Sequence, residues 1–223
     1  MTIKLFFEAI VKFLLGVFFV ALLVFLPAGT ILFFNGWLFI AILFVPMLLA
    51  GITMMFKNPN LLKSRLNAKE KQKDQSTVVK LSGLMFILGF IIAGLNFRFG
   101  WCALPNSVVV LGVVIFLVSY ALYAEVLREN QYLSRTIKVQ KNQKVIDTGL
   151  YGIVRHPMYS STLFLFLSMP LILGSVYSFL VFLAYPFIIA ARIKNEEKFL
   201  EEELMGYTEY KNKVKYRLIP FIW

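Results

Sequence analysis

The sequence predicts an all-α integral membrane protein with about six transmembrane helices, a tight hairpin between helices five and six, and a cytoplasmic C-terminal helix. First, 59% of the 223 residues are hydrophobic and 16% are charged, whereas soluble domains are about 45–50% apolar and about 25% charged. Second, several long stretches carry no charged residue. Third, the basic residues, which leave a net charge of +11, are confined to a few segments.

The charge-free stretches set the helix boundaries, because a spanning helix needs about 20 apolar residues. The stretch 13–56 is about twice that length, and the turn residues Pro27 to Thr30 divide it into two helices. A short third helix fits between Lys80 and Arg98, and a fourth follows an interfacial turn with Trp101. The predicted ranges are 6–26, 31–56, 81–97 and 107–127.

The last charge-free stretch, 157–191, is again too long for one pass. Gly174 and Ser175 lie midway and predict a hairpin with arms at 158–173 and 176–193. Pro170 and Pro186 predict local unwinding, which lipid tolerates where other protein buries the backbone. Since five helices follow the first, we expect that first helix to be a retained signal anchor rather than a cleaved signal.

The basic residues predict the orientation. Of the 23 Lys and Arg residues, all but Arg98 fall in the N-terminal segment, the loops 57–80 and 128–158, and the tail from residue 192. Six spans place these segments on one side, which the positive-inside rule makes cytoplasmic. Both termini are then cytoplasmic, in the plasma or inner membrane of a prokaryote or the endoplasmic reticulum of a eukaryote. The net positive charge is then explained by the topology and by attraction to anionic lipid head groups, and no nucleic-acid partner is needed.

The two long loops differ in character. The 57–80 loop is rich in Lys, Gln and Asn without an apolar period, and it reads as a solvated basic linker. The 128–158 loop carries apolar residues from Val145 to Val154 and can pack against other elements. In the tail, residues 196–210 predict a cytoplasmic helix, and the basic, then apolar, residues after it predict a segment docked on the membrane or a lid over a site.

The first candidate motif runs from Gly149 to Tyr159. Pro157 suits the first turn of a helix, which places Arg155 and His156 at a helix N-terminus that attracts a carboxylate or phosphate. The alternative is an interfacial cap, in which Arg155 snorkels, Tyr159 anchors at head-group level and His156 faces water. Composition alone favours that alternative.

The second candidate motif lies at the end of the sixth predicted helix, where Arg192 and Glu196 share one face at i and i+4. The alternative is a helix-end ion pair worth about 0.3–0.5 kcal/mol. However, the hairpin brings this end back to His156 and Tyr159, and an ionisable residue at membrane depth is a functional candidate. A single Cys and a single His exclude a disulfide framework and a multi-histidine metal centre.

Together the motifs resemble the isoprenylcysteine carboxyl methyltransferase family, which is related to phospholipid methyltransferases. The resemblance covers roughly residues 107–220. It rests on these motifs in order: Gly149-x-Tyr151, Arg155-His156-Pro157-x-Tyr159, Arg192-x-x-x-Glu196-Glu197, Tyr207-x-x-Tyr210 and Arg217-Leu218-Ile219-Pro220. It implies an S-adenosylmethionine-dependent methyltransferase with N-terminal helices and the basic loop in residues 1–100, and a methyltransferase core in 101–223.

The resemblance also implies the site residues. Arg192 would face a methyl-accepting carboxylate, and Arg192 and Glu196 would be the catalytic pair. The residues implied to bind the cofactor are Gln143, Lys144, Val145, Ile146, Tyr151, His156, Pro157, Met158, Tyr159 and Glu196, with no metal ligand. The chain departs from the family pattern at Gln143, where the family often has His, and near Lys138, where the family has Gln.

Methyl transfer from a sulfonium to a carboxylate needs alignment rather than a metal or covalent nucleophile, and Arg192 could hold the acceptor bidentately. The expected acceptor is therefore an isoprenylcysteine-like or other lipidic acid on a small molecule or peptide. Three alternatives stay open: N-methylation of an amino head group with Glu196 or Glu197 as base, an NADPH-dependent sterol-type reductase, and a scaffold or transporter. A transporter usually has polar midplane residues, and here these are small: Asn35, Ser119 and Ser168.

Overall fold

The computed structural model describes residues 3–66, 73–134 and 139–223. The predicted loop residues Lys69, Lys71, Arg135 and Lys138 lie outside these ranges. A 3₁₀ helix covers Gly149–Gly152. The α-helices are α1 Ile3–Ala28, α2 Phe34–Lys57, α3 Pro59–Leu66, α4 Lys73–Phe99, α5 Asn106–Glu129, α6 Pro157–Ile172, α7 Val176–Phe182, α8 Tyr185–Glu203 and α9 Tyr207–Lys213.

Five helices are long and apolar enough to cross a membrane: α1, α2, the part of α4 from Ser76, α5, and α7 with α8 taken together as Val176–Glu203. This confirms an all-helical membrane architecture, since the described residues contain no strand beyond one isolated bridge between Ala103 and Ser175. The fifth predicted helix, 158–173, corresponds to α6, which has 16 residues. At about 24 Å it is shorter than a bilayer core, so five of the six spans are supported.

The prediction of a solvated linker at 57–80 was wrong for its described part. Asn58 accepts a hydrogen bond at its Oδ1 from the Leu61 amide at 3.1 Å, which starts α3. This helix buries Leu61 and Leu62. After the undescribed residues, α4 begins at Lys73, well before the predicted start at 81. Leu61 and Leu62 dock α3, and Arg65 adds a hydrogen bond to the Tyr123 hydroxyl.

Two predicted helices near the C-terminus are divided. The arm 176–193 is interrupted between α7 and α8, next to Pro186 in the first turn of α8, whereas Pro170 lies inside α6 without ending it. The single helix predicted at 196–210 is also wrong. α8 ends at Glu203, and Gly206 has a φ of +86°. That left-handed conformation favours glycine and redirects the chain into α9.

The predicted hairpin is present, with its turn at Gly174, and both predicted parts of the chain contribute to one core. Val24 and Phe39 pack with Phe116 and Phe182 in a single hydrophobic cluster. α1 and α4 approach closely at Gly94, where a Cβ would lie 2.5 Å from the Val24 carbonyl oxygen. The division at residues 100 and 101 stays a prediction.

The bundle has two distinct ends. At the end called here the site end, Lys12 donates to the Leu66 carbonyl at 2.8 Å, and Leu61 packs with Val126 and Tyr151. At the opposite end, Asn96 exchanges two hydrogen bonds with the backbone of Cys102. The N-terminal turns, α3 and the loop after α5 are therefore on one side of the molecule.

Candidate functional site

The site is built where the loop after α5, the start of α6, the second half of α8, and α9 meet. The tail holds the start of α6 in place through backbone pairing. The amides of Arg155 and His156 donate to the carbonyls of Tyr216 and Arg217, both at 2.9 Å. Ser160 Oγ donates to the Leu218 carbonyl at 2.6 Å. The tail segment 214–218 therefore fixes the residues that precede Pro157.

Glu197 is the centre of a buried ionic cluster. Its Oε1 accepts from Arg155 Nε at 2.7 Å and lies 3.3 Å from His156 Nε2, and its Oε2 accepts from Arg217 Nε at 2.8 Å. Arg155 also donates through Nη1 to the Val214 and Lys215 carbonyls. Arg155, His156 and Glu197 are all at most 6% exposed. His156 therefore does not face water, and Arg155 does not snorkel, as the cap interpretation required.

Tyr159 joins the two candidate motifs. Its hydroxyl donates to Glu196 Oε2 at 2.5 Å and accepts from Arg192 Nε at 2.8 Å. Arg192 and Tyr159 are buried, and Glu196 is half-buried. A neutral hydroxyl that bridges a cation and a carboxylate makes two charge-assisted hydrogen bonds. The geometry thus fixes Arg192 and Glu196 relative to each other through a third residue.

A cleft lies beside this bridge, with an enclosed volume of about 110 Å³ and an open mouth. The enclosed part is smaller than the roughly 300–1,000 Å³ of a typical small-molecule site, so a ligand of that size would also occupy the mouth. Nine of the ten residues implied to bind a cofactor line it: Gln143, Lys144, Val145, Ile146, Tyr151, His156, Met158, Tyr159 and Glu196. Pro157 instead forms the first turn of α6. Arg192 contacts the Tyr159 hydroxyl and is not part of the lining formed by the described residues.

The loop wall of the cleft is anchored at Tyr151. Asn130 Nδ2 donates to the Tyr151 hydroxyl and the Tyr210 hydroxyl donates to the Tyr151 carbonyl, both at 2.8 Å. Burial raises the pKa of Tyr151, the Asn130 hydrogen bond opposes this, and the Glu196 charge adds to it. Tyr151 is therefore neutral at physiological pH. Asn130, directly after α5, and Tyr210 of α9 hold it in place.

A second anchor lies one residue before the 3₁₀ helix. Glu129 accepts from Thr148 Oγ1 at 2.9 Å and from the Leu150 amide at 3.3 Å. Gly149, with a φ of +50°, lies directly under this carboxylate, since a Cβ there would be 2.2 Å from Glu129 Oε1. The end of α5 thereby sets the path of the loop toward Tyr151.

Sequence reasoning missed several residues of the site, among them Asn130, Leu200, Leu204, Tyr207 and Tyr210, which line the cleft. Leu200 and Leu204 had a readable signal, because they follow Glu196 at steps of four and share its helix face. Glu197 was considered only as a base. Tyr207 and Tyr210 were recognised as part of a motif without a role.

The fold and the site define a helical membrane protein with a polar cleft at one end of its bundle. Residues 100–205, slightly less than half of the chain, match the family model described as phospholipid methyltransferase. The match confirms the predicted resemblance, because this family contains the isoprenylcysteine carboxyl methyltransferases. It spans α5 to α8, while α9 and the tail lie beyond it. A comparison with curated proteins found no match.

Proposed function

We propose that the protein uses S-adenosylmethionine to methylate a carboxylate on a lipid or lipid-modified acceptor, such as an isoprenylcysteine-like acid. The observation that carries the proposal is the Tyr159 bridge between Glu196, which lines the cleft, and Arg192, which does not. The bridge supports two neighbouring ligand sites, one for a cofactor at Glu196 and one for an acceptor at Arg192.

The cleft residues fit such a cofactor. The half-buried Glu196 carboxylate suits its ammonium group, and the apolar side chains of Val145, Ile146 and Leu200 offer a surface for its ring system. The cofactor would supply a methyl group on a positively charged sulfur. The carboxylate of Glu196 and the neutral hydroxyls of Tyr151 and Tyr159 complement that charge.

Arg192 suits an anionic acceptor. Its guanidinium is buried and is held through Nε by Tyr159. A guanidinium recognises a carboxylate through paired hydrogen bonds. An ionised carboxylate needs no base, so the residues have only to align donor and acceptor, which can supply about 7–11 kcal/mol of the barrier.

An apolar groove supports a lipid-bearing acceptor. It lies between α4 and the break between α7 and α8, and it is lined by Leu84, Met85, Leu88, Val181, Ala184 and Ile188, among others. Ile188 lies four residues before Arg192, hence one turn away on the same face of α8. An acyl or isoprenoid chain in this groove would place its polar end near Arg192.

N-methylation of an amino head group is the second candidate, because the matched family is named for phospholipid methylation. That reaction needs a base for the proton of the amine. Glu197 is engaged by Arg155, His156 and Arg217, which leaves Glu196 for the task. The cation at Arg192 favours an anionic acceptor over an ammonium group, so we rank this reaction second.

We propose further that the site end faces the cytoplasm, where the cofactor is available. The first turns of α1 contact α3 at this end. The basic residues of the loops and tail lie at the same end, and the positive-inside rule places such residues in the cytoplasm.

The test uses the purified full chain in detergent. Calorimetric titration with S-adenosylmethionine should show binding to the native protein and much weaker binding to Glu196→Gln. Radiolabelled methyl transfer is then compared between a prenylcysteine analogue and phosphatidylethanolamine. Labelling of the analogue supports carboxyl methylation, and labelling of the phospholipid alone supports the second candidate. The proposal would be contradicted if S-adenosylmethionine did not bind. It would also be contradicted if NADPH displaced bound S-adenosylmethionine at a concentration below that of S-adenosylmethionine.

A further inference from the structure

Tyr207 is a buried polar group whose role the proposed reaction does not yet use. It begins α9, is 4% exposed and lines the cleft. Its hydroxyl oxygen is buried and has no hydrogen-bond partner among the residues that the structure describes. Buried hydroxyls in proteins are almost always paired, and leaving one unpaired costs free energy. A group from outside the described chain that enters the cleft would remove this cost.

The surroundings of Tyr207 define the group it can bind. Burial raises the pKa of Tyr207, and the charges of Glu197 and Glu196 raise it further. The hydroxyl is therefore protonated at physiological pH and available as a donor. A donor of this kind bonds most strongly to an anionic oxygen.

The neighbouring tyrosine shows that the lack of a partner is specific. Tyr210 lies on the same helix and also lines the cleft, yet its hydroxyl donates to the Tyr151 carbonyl at 2.8 Å. Tyr210 is thus explained by the fold, whereas Tyr207 is not.

We propose that the Tyr207 hydroxyl donates a hydrogen bond to the α-carboxylate of bound S-adenosylmethionine, with the ammonium group on the same carbon facing Glu196. This inference rests on the proposed function and adds the orientation of the cofactor. The amino-acid end lies between α8 and α9, and the methyl group points toward Tyr159 and Arg192. It also gives α9, which lies outside the matched family region, a direct part in binding.

The experiment compares S-adenosylmethionine with its decarboxylated analogue on the full chain in detergent. Tyr207→Phe should lower the affinity for S-adenosylmethionine about tenfold, the loss expected for one hydrogen bond to a charged group. It should leave the affinity for the decarboxylated analogue unchanged. The matched control is Tyr216→Phe, whose side chain lies in the tail and is not among the lining residues, and it should bind both compounds as the native protein does.

Thermal melting without cofactor separates binding from folding. Tyr207→Phe should melt at or above the native temperature, because it removes an unpaired hydroxyl, whereas Tyr210→Phe should melt lower, because it breaks the bond to Tyr151. Unchanged affinity of Tyr207→Phe for S-adenosylmethionine would overturn the inference while the proposed function stands. Equal weakening of both compounds would overturn the assignment to the carboxylate. If the native protein binds neither compound, it is the proposed function that fails.

Discussion

At the scale of single residues, adjacent glutamates on α8 have different partners. Glu196 receives the Tyr159 hydroxyl and lines the cleft, whereas Glu197 binds Arg155, His156 and Arg217. Successive helix residues point about 100° apart, so one carboxylate faces the cleft and the other faces the tail. The first is placed for ligand binding, and the second holds the protein together.

This division predicts opposite effects for a matched pair of substitutions. Glu197→Gln leaves three donors without their carboxylate and should destabilise the protein by about 3–5 kcal/mol, the cost of breaking a buried pair. Glu196→Gln should leave stability nearly unchanged and weaken cofactor binding. Melting temperature and calorimetric affinity, measured on both variants, check the prediction. Equal melting temperatures for the two variants would contradict it.

Tyr159 predicts a change in rate rather than in fold. Tyr159→Phe removes the hydroxyl between Arg192 and Glu196 but keeps the ring. Hydrogen bonds to charged groups contribute about 1.5–3 kcal/mol, so kcat/KM for methyl transfer should fall roughly 10- to 100-fold. The control is Tyr177→Phe, a substitution at an exposed position in α7. This variant should retain full activity. A Tyr159→Phe variant with native kcat/KM would show that the bridge is incidental.

The two motifs could be predicted from the sequence, but the hydrogen bonds and ion pairs that connect them could not. Their proximity could be predicted, because a hairpin at Gly174 brings Arg192 and Glu196 back beside the segment from His156 to Tyr159. The partners of Glu197 could not, since Arg217 reaches it only through a tail whose path depends on backbone bonds to residues 155 and 156. Tyr207 was equally hidden, because its position depends on the turn at Gly206.

At the scale of elements, the loop after α5 depends on a close contact between Gly149 and Glu129. Short docked segments of this kind are hard to predict from sequence. α3 is eight residues long and contains Lys63 and Arg65, so its composition resembles that of a linker. Its two buried leucines and the hydrogen bond from Arg65 to Tyr123 dock it. Long apolar helices such as α1 and α5 were predicted well, because their length alone decides them.

The loop contact predicts the effect of a single methyl group. Gly149→Ala places a Cβ 2.2 Å from Glu129 Oε1 in a left-handed backbone. It should displace Glu129 from Thr148 and Leu150, release Tyr151, and lower both cofactor affinity and melting temperature. Gly100→Ala is the matched control, because it has a similar φ of +61° with open space around its Cβ. It should show only the strain, about 1–2 kcal/mol, with native affinity. Equal affinities for the two variants would argue against the role of Glu129.

At the scale of the whole molecule, the exposed apolar side chains of α1, α2, α4 and α5 form the surface expected to face lipid. The core under it combines residues from both halves of the chain. The polar chemistry is concentrated at the site end, and the opposite end holds Arg98, Trp101 and Cys102. The placement of the charged residues in the sequence predicts both ends of the bundle. Their separation in space depends on α6, which leads the chain away from the site end, and on α7 and α8, which lead it back.

This asymmetry makes the orientation testable with the single cysteine of the sequence. Cys102 is exposed and lies at the opposite end from the cleft. If the site end faces the cytoplasm and the protein is expressed in a bacterial inner membrane, a membrane-impermeant maleimide added to intact cells should label the native protein at Cys102. The matched variant, Cys102→Ser with Lys213→Cys, moves the thiol to exposed α9 and should be labelled only after the membrane is opened. The reverse pattern would place the cleft outside the cell, away from its cofactor, and would contradict both the orientation and the proposed use of S-adenosylmethionine.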